Sequence, residues 1–180
     1  MIKNKVEKSG NENIDKKANK NHEKIKEIIN IILVIIWMII VFLFSSEIGL
    51  DSSNTSGETI KHVLTTLKKD WNPLELENTV ESIQPYARKL AHFTLYTIGG
   101  FFIYNFNKNN KKVKQIKEEN SYLNGITISL FFGMLYAITD EIHQAFVPGR
   151  DGRILDVCID SFGVLFGIYI CRIKDKFLKK

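Results

Sequence analysis

The chain has 180 residues, enough for one domain, with 25 Lys and Arg against 20 Asp and Glu and a formal net charge of +5. A basic total raises the question of nucleic acid, but the lysines flank apolar runs and form no stripe interleaved with aromatics, so no nucleic-acid partner is expected. The two cysteines, Cys158 and Cys171, lie 13 residues apart in one apolar run, about 20 Å along a helix and beyond disulfide reach, and read as small buried hydrophobes.

Residues 1–26 carry eight Lys against four acids and almost nothing apolar, which predicts a basic tail, disordered or loosely helical. Ile28–Phe44 is an uncharged run of 17 residues, near the lower limit for crossing the hydrocarbon layer, and Ser45 and Ser46 extend it. A basic region followed by an apolar run also describes a signal peptide. The run is longer than a signal core and no small-x-small cleavage site follows, so a retained membrane anchor is expected. In the long segment 45–87, Thr55 and Glu58 have capping-box spacing, and Ile60, Val63, Leu64 and Leu67 follow at helical spacing. A short amphipathic helix is therefore predicted over 56–69, with Pro73 and Pro85 punctuating what comes after.

Three more apolar runs follow. Leu90–Phe106 is broken only by His92, Tyr122–Thr139 has no charge, and Ile154–Cys171 contains Asp156 and Asp160. Four such runs, with little amphipathic helix to cover them, argue against a soluble core. The predicted fold is all-α: a polytopic membrane protein of about four transmembrane helices, with a short amphipathic helix in the first outer loop. The expected divisions are a basic cytoplasmic tail at 1–26, a membrane domain at 27–171 with spans near 28–46, 88–106, 122–140 and 154–171, and a second basic tail at 172–180. Residues 1–26, 107–120 and 172–180 together hold 18 of the 25 Lys and Arg. Four alternating spans put all three segments on one side, which the positive-inside rule makes cytoplasmic, with both termini inside.

Charges within the spans are costly and mark function. Arg88, His92, Tyr96 and Gly99 form one helical stripe; Ser129, Gly133, Tyr136 and Asp140 form a second; Arg153, Asp156, Asp160, Gly163 and Gly167 form a third. Each has small residues deep in the bilayer and ionisable ones at its outer end. The stripes should face one another, with close helix approach at the glycines. The expected result is an outward-opening polar pocket lined by Arg88, His92, Asp140, Asp156 and Asp160, with Glu141, His143, Gln144, Arg150 and Arg153 at its rim. Pairs of the type Arg88–Asp160 or His92–Asp156 that merely lock helices together are the plainer alternative. Pro148-Gly149 suits a turn, and Asp151 is the expected N-cap of the last helix. Arg150 and Arg153 beside glycines at a helix start suit an anion such as phosphate. Glu141-x-His143 with His92 and Asp156 offers metal ligands but matches no defined zinc spacing, so no metal is expected, and nothing in the pattern names a cofactor. If the protein is an enzyme, His92 is the first candidate for proton transfer, with Asp140, Glu141 and Asp156 around it.

Several short segments carry a family resemblance: Phe44-Ser-Ser-Glu47, Arg88-Lys-x-x-His92-Phe with Tyr96, Asp140-Glu-x-x-Gln144 with Phe146, Pro148-Gly-Arg150, and Asp156-Val followed by Asp160, Gly163 and Gly167. Together they resemble the VanZ-like membrane protein family over about residues 44–167. Glu47 stands where many relatives carry Gln, and Asp160 where relatives often have Asn. The resemblance implies a multi-pass protein of the bacterial cytoplasmic membrane linked to the cell envelope, and a role in low-level resistance to teicoplanin, a glycopeptide antibiotic. It supplies no reaction. An envelope lipid, or a lipoglycopeptide, is the expected ligand of Arg88, His92, Gln144, Arg150, Arg153, Asp156 and Asp160.

Overall fold

The computed structural model describes residues 2–47, 49–110 and 121–178. Among these residues the chain forms five helices and no strand: α1 (Ile2–Ser46), α2 (Gly49–Leu67), α3 (Pro73–Asn109), α4 (Ser121–Gln144) and α5 (Ile154–Leu178). The basic segment ahead of Ile28 is continuous helix with the apolar run behind it. Most of the basic segment predicted at 107–120 lies outside the described residues.

Among the described residues, three stretches are long and apolar enough to cross a membrane: Asn19–Ser46, Gly125–Gln144 and Ile154–Leu178, with mean hydropathies of 3.0, 1.3 and 1.9. The run at 90–106, predicted as a further span, does not reach that level, and the reason is its place in the bundle. It belongs to α3, the helix that packs against all four others. A surrounded helix presents less of itself to lipid and can carry His92, Tyr96, Tyr104, Asn105 and Asn107. The outer helices instead display large apolar side chains outward: Ile32, Ile36, Ile39 and Leu43 on α1, Phe131, Leu135 and Ile138 on α4, Phe162, Phe166 and Tyr169 on α5. Apolar surface so continuous suits a bilayer and not water.

The core lies around the middle of α3. Trp37 stacks edge-on against Tyr96 at 5.6 Å between ring centroids, donates its indole N–H to the Leu95 carbonyl at 2.8 Å and overlies Gly99. The Tyr136 hydroxyl donates to the Met38 carbonyl at 2.6 Å, joining α4 to α1. The glycines of α4 and α5 meet neighbouring helices as predicted, but in the α3 stripe Gly99 faces Trp37 of α1 and the adjacent Gly100 makes the contact with α5 instead. Gly163 and Gly167 of α5 press on the α3 backbone at Phe93 and Thr97, and Gly100 of α3 presses on the Val164 backbone. Of the two cysteines, Cys171 is buried, but Cys158 is exposed on α5, so only one matches its prediction.

α3 and α5 run parallel, and ion pairs tie them at both ends. Lys89 Nζ stands 3.4 Å from Asp156 Oδ1, and Lys108 Nζ stands 2.6 Å from Asp175 Oδ1. At the second end Asn105 also donates to Asn30 at 2.7 Å and Asn107 to Ser129 at 2.8 Å. At the first end Ser46 meets His143 at 3.1 Å. One end of the bundle is thus built from the C-terminal ends of α1 and α4, the start of α5 and the middle of α3.

Local signals explain the helix boundaries, with three corrections. Asn72 caps α3 by accepting the Leu74 N–H at 3.0 Å, and Pro73 fills the first helical position, where no donor is needed. Pro85 sits inside α3 and does not end it. α2 begins at Gly49, so Thr55 and Glu58 lie within a helix and form no capping box; Thr55 Oγ1 donates to Glu47 instead, at 3.3 Å. Asp151 does not cap α5. Arg153 holds that place, its carbonyl accepting the Asp156 and Val157 amides. The Asp151 carboxylate instead lies 3.4 Å from the Arg153 guanidinium.

Candidate functional site

A cavity of about 260 Å³ opens at the first end of the bundle. α3 contributes Pro85, Arg88, Lys89 and His92, each within one helical face of the next. α4 contributes Glu141 and Gln144, and α5 contributes Asp156, Ile159 and Asp160. The α4–α5 connection adds Gly149, Arg150, Asp151 and Arg153, and Ser53 of α2 completes the lining. The turn that presents Arg150 is closed by its N–H donating to the Val147 carbonyl at 3.1 Å. Gly149 takes the left-handed conformation there, with φ of 77°, the position after proline at which a type II turn requires glycine.

Gln144 organises the acidic wall. Its side-chain amide donates to Asp140 Oδ2 at 3.1 Å and to Glu141 Oε1 at 3.3 Å, while its own oxygen accepts from Arg150 at 3.4 Å. The other Glu141 oxygen accepts the Arg153 backbone N–H at 2.9 Å. The Glu141 carboxylate therefore binds the donor at the start of α5 and ties α4 to it. On the opposite wall His92 Nδ1 stands 3.7 Å from Asp160 Oδ2.

Polar atoms here outnumber their partners. Asp160 Oδ1 and, one turn deeper, the Tyr96 hydroxyl are buried without a hydrogen bond, and Asp156 Oδ1, Asp160 Oδ2 and His92 Nδ1 have only the ion-pair contacts Lys89–Asp156 at 3.4 Å and His92–Asp160 at 3.7 Å. A buried unsatisfied group costs about 1–3 kcal/mol and is rare in native interiors. Outside the membrane stretches, burial lowers the pKa of the Arg150 guanidinium; Glu47 opposes the shift and Arg88 adds to it.

Of the residues singled out in the sequence, Arg88, His92, Glu141, Gln144, Arg150, Arg153, Asp156 and Asp160 all border this one cavity. Asp140 is set behind the lining, with its carboxylate held by Gln144. Glu141 was predicted at the rim and is instead 5% exposed. His143 does not join the site: its ring stacks on Phe42 at 4.7 Å, on the face of α4 turned to α1. The predicted pairings exchange partners, since Lys89 takes Asp156 and His92 takes Asp160.

The family described as VanZ/LLP1 matches residues 30–175. The chain belongs to the VanZ/LLP1 family. No curated protein and no solved structure matches it. The VanZ/LLP1 match runs from the first apolar stretch through the Lys108–Asp175 pair, so it includes every element that forms the pocket. Pro85, Ile159, Lys89 and Ser53 line the pocket of this VanZ/LLP1 chain, although the sequence alone does not place them there. Lys89 precedes His92 by three positions and so shares its face, a signal that helical periodicity contains. Ser53 carries no such signal, because nothing in the sequence says where α2 docks.

Proposed function

We propose that this VanZ/LLP1 member is a four-span protein of the bacterial cytoplasmic membrane that holds the anionic headgroup of an envelope amphiphile in the pocket. The observation that carries the reading is the gathering of Arg88, Lys89, Arg150 and Arg153 around one cavity at one end of the bundle. Guanidinium groups bind phosphate through paired, charge-assisted hydrogen bonds, and a half-enclosed cavity strengthens them. A polyprenyl phosphate or pyrophosphate, or a lipoglycopeptide of the teicoplanin class, offers the matching charge together with a tail that the bilayer accepts. A role in tolerance of glycopeptide antibiotics follows from holding such a molecule.

Support for α3 as the fourth span comes from the two ion pairs. Lys89 to Lys108 on α3 and Asp156 to Asp175 on α5 each cover 19 residues, about 28 Å of helix, against about 30 Å of hydrocarbon. On this reading the pairs lie at the two membrane surfaces. The basic segments at both chain ends support a cytoplasmic Lys108–Asp175 side and a pocket on the outer face.

The test is alanine substitution of Arg88 and Arg150, with protein level held equal. Binding of the purified chain to nanodiscs containing a polyprenyl phosphate should weaken at least tenfold, and teicoplanin tolerance should fall with it. Retention of both would refute the proposal. The His92–Asp160 contact favours a second reading, an enzyme that moves a proton on such a lipid through His92 with Asp140, Glu141 or Asp156 nearby. Turnover of the polyprenyl phosphate by purified protein, lost in His92→Ala, would establish it; no turnover would leave the binding reading alone.

A further inference from the structure

Below the cations, four donors from three helices converge. His92 of α3, Asp140 and Glu141 of α4 and Asp160 of α5 each offer one ligand atom, and these atoms all lie within 4.8 Å of one another. Acidic groups gather on many surfaces without meaning. Here the second observation is Asp160, which is 0% exposed, borders the cavity and keeps Oδ1 without any hydrogen bond, while Oδ2 has only the His92 ring, 3.7 Å away. Interiors satisfy such a group with a donor, a water or an ion.

We propose that His92, Asp140, Glu141 and Asp160 bind one divalent metal ion of the borderline class, Mn²⁺ or Zn²⁺. An imidazole beside three carboxylates suits these ions better than an all-oxygen set would. In octahedral coordination, bonds of about 2.1 Å place opposite donors about 4.2 Å apart, twice the bond length. The observed spread therefore closes with a shift of about half an ångström, within the reach of small side-chain rotations. Three carboxylates this close repel one another unless a cation or shared protons intervene, and Lys89 is already engaged by Asp156 at 3.4 Å. The sequence offers Glu141, His143, His92 and Asp156 as ligands, and the folded chain gathers Asp140 and Asp160 in place of His143 and Asp156. The set is assembled across three helices and leaves out His143, which contacts Ser46 at 3.1 Å. The cavity beside the cluster has room for a water or a phosphate oxygen as a further ligand.

The metal site does not depend on the anion reading, and the two fail separately. The full chain, in detergent and stripped with chelator, is titrated with Mn²⁺ alone while the free-ion electron paramagnetic signal is followed. One ion per chain should be taken up, and Zn²⁺ should compete for it. Asp160→Asn and Glu141→Gln should each weaken uptake at least tenfold, whereas Arg88→Ala, which removes a pocket cation, should keep it. Mn²⁺ at about a hundred times its dissociation constant should raise the unfolding midpoint of the parent by about 5–10 °C and leave Asp160→Asn unmoved. In chelator the Asp160→Asn protein should unfold no earlier than the parent, because a buried carboxylate with one oxygen unsatisfied and the other 3.7 Å from His92 is replaced by a neutral amide, and that measurement certifies its fold. Failure of both Mn²⁺ and Zn²⁺ to bind the parent stoichiometrically, or uptake that survives both substitutions, overturns the proposal.

Discussion

Gly167 sits where two helix backbones touch, and a side chain added there would run into the Thr97 carbonyl and the Phe101 amide. Backbone atoms cannot swing aside as a side chain can, so Gly167→Ala should force α5 away from α3. We expect a loss of about 1–3 kcal/mol, the usual range for overpacking, read as a lowered unfolding midpoint in detergent. Gly125 is the control. Its added carbon would meet only Tyr104 Cε2, at 3.8 Å, so Gly125→Ala should be neutral or stabilising by up to about 1 kcal/mol through helix propensity. Much at this scale was legible beforehand, because a four-residue glycine spacing in an apolar run has one physical use, the close approach of a neighbour. The pocket residues were legible for a similar reason: a charge in a span has to turn inward. Their pairings were not. Whether Lys89 or His92 reaches Asp156 depends on the rotation and slide of α3 against α5, and those are set by many small contacts that no single residue announces.

Among the elements, α2 has the weakest hold on the rest, packing on α3 alone. Its anchors are few. Gln84 donates to the Ser53 carbonyl and, at 2.7 Å, to Ser56 Oγ, and Trp71 donates to the Leu64 carbonyl at 3.1 Å. Val63 and Leu67 point outward. Gln84→Ala should therefore loosen α2, raising amide exchange across Ser53–Leu67 while leaving α3 and α5 protected. An effect on exchange in α5 would show that α2 is better integrated than its contacts imply. The sequence identified an amphipathic helix here but placed its start seven residues late. Thr55 and Glu58 satisfy the capping pattern, yet Thr55 finds Glu47 as its partner, and a cap pattern carries force only where the chain actually turns. Residue 153 teaches the same lesson. Asp151 has the better capping chemistry, but the Glu141 carboxylate is positioned to take the Arg153 amide, and that contact across helices sets where α5 begins.

For the whole molecule, the proposed topology, with the basic chain ends inside, predicts a definite disposition in the membrane. A single cysteine placed at Asp70, in the link between α2 and α3, should react with a membrane-impermeant maleimide from outside intact cells, in a chain whose Cys158 and Cys171 are changed to serine and alanine. A cysteine at Lys176 should react only after the membrane is opened. The reverse pattern would turn the molecule over and put the pocket on the inner face. The class of fold was clear from four apolar runs, but the order of packing was not. Neighbours in sequence usually pack together, whereas α5 lies chiefly against α3 and only secondarily against α4. That choice has a consequence for how the protein comes into being. The pocket takes its floor from α3 and closes only when α5 arrives, so ribosomes must deliver nearly the entire polypeptide before the cavity exists. Until then His92, Glu141 and their neighbours lack their companion Asp160, and a message truncated before Ile154 would yield a product without the α5 wall of the cavity.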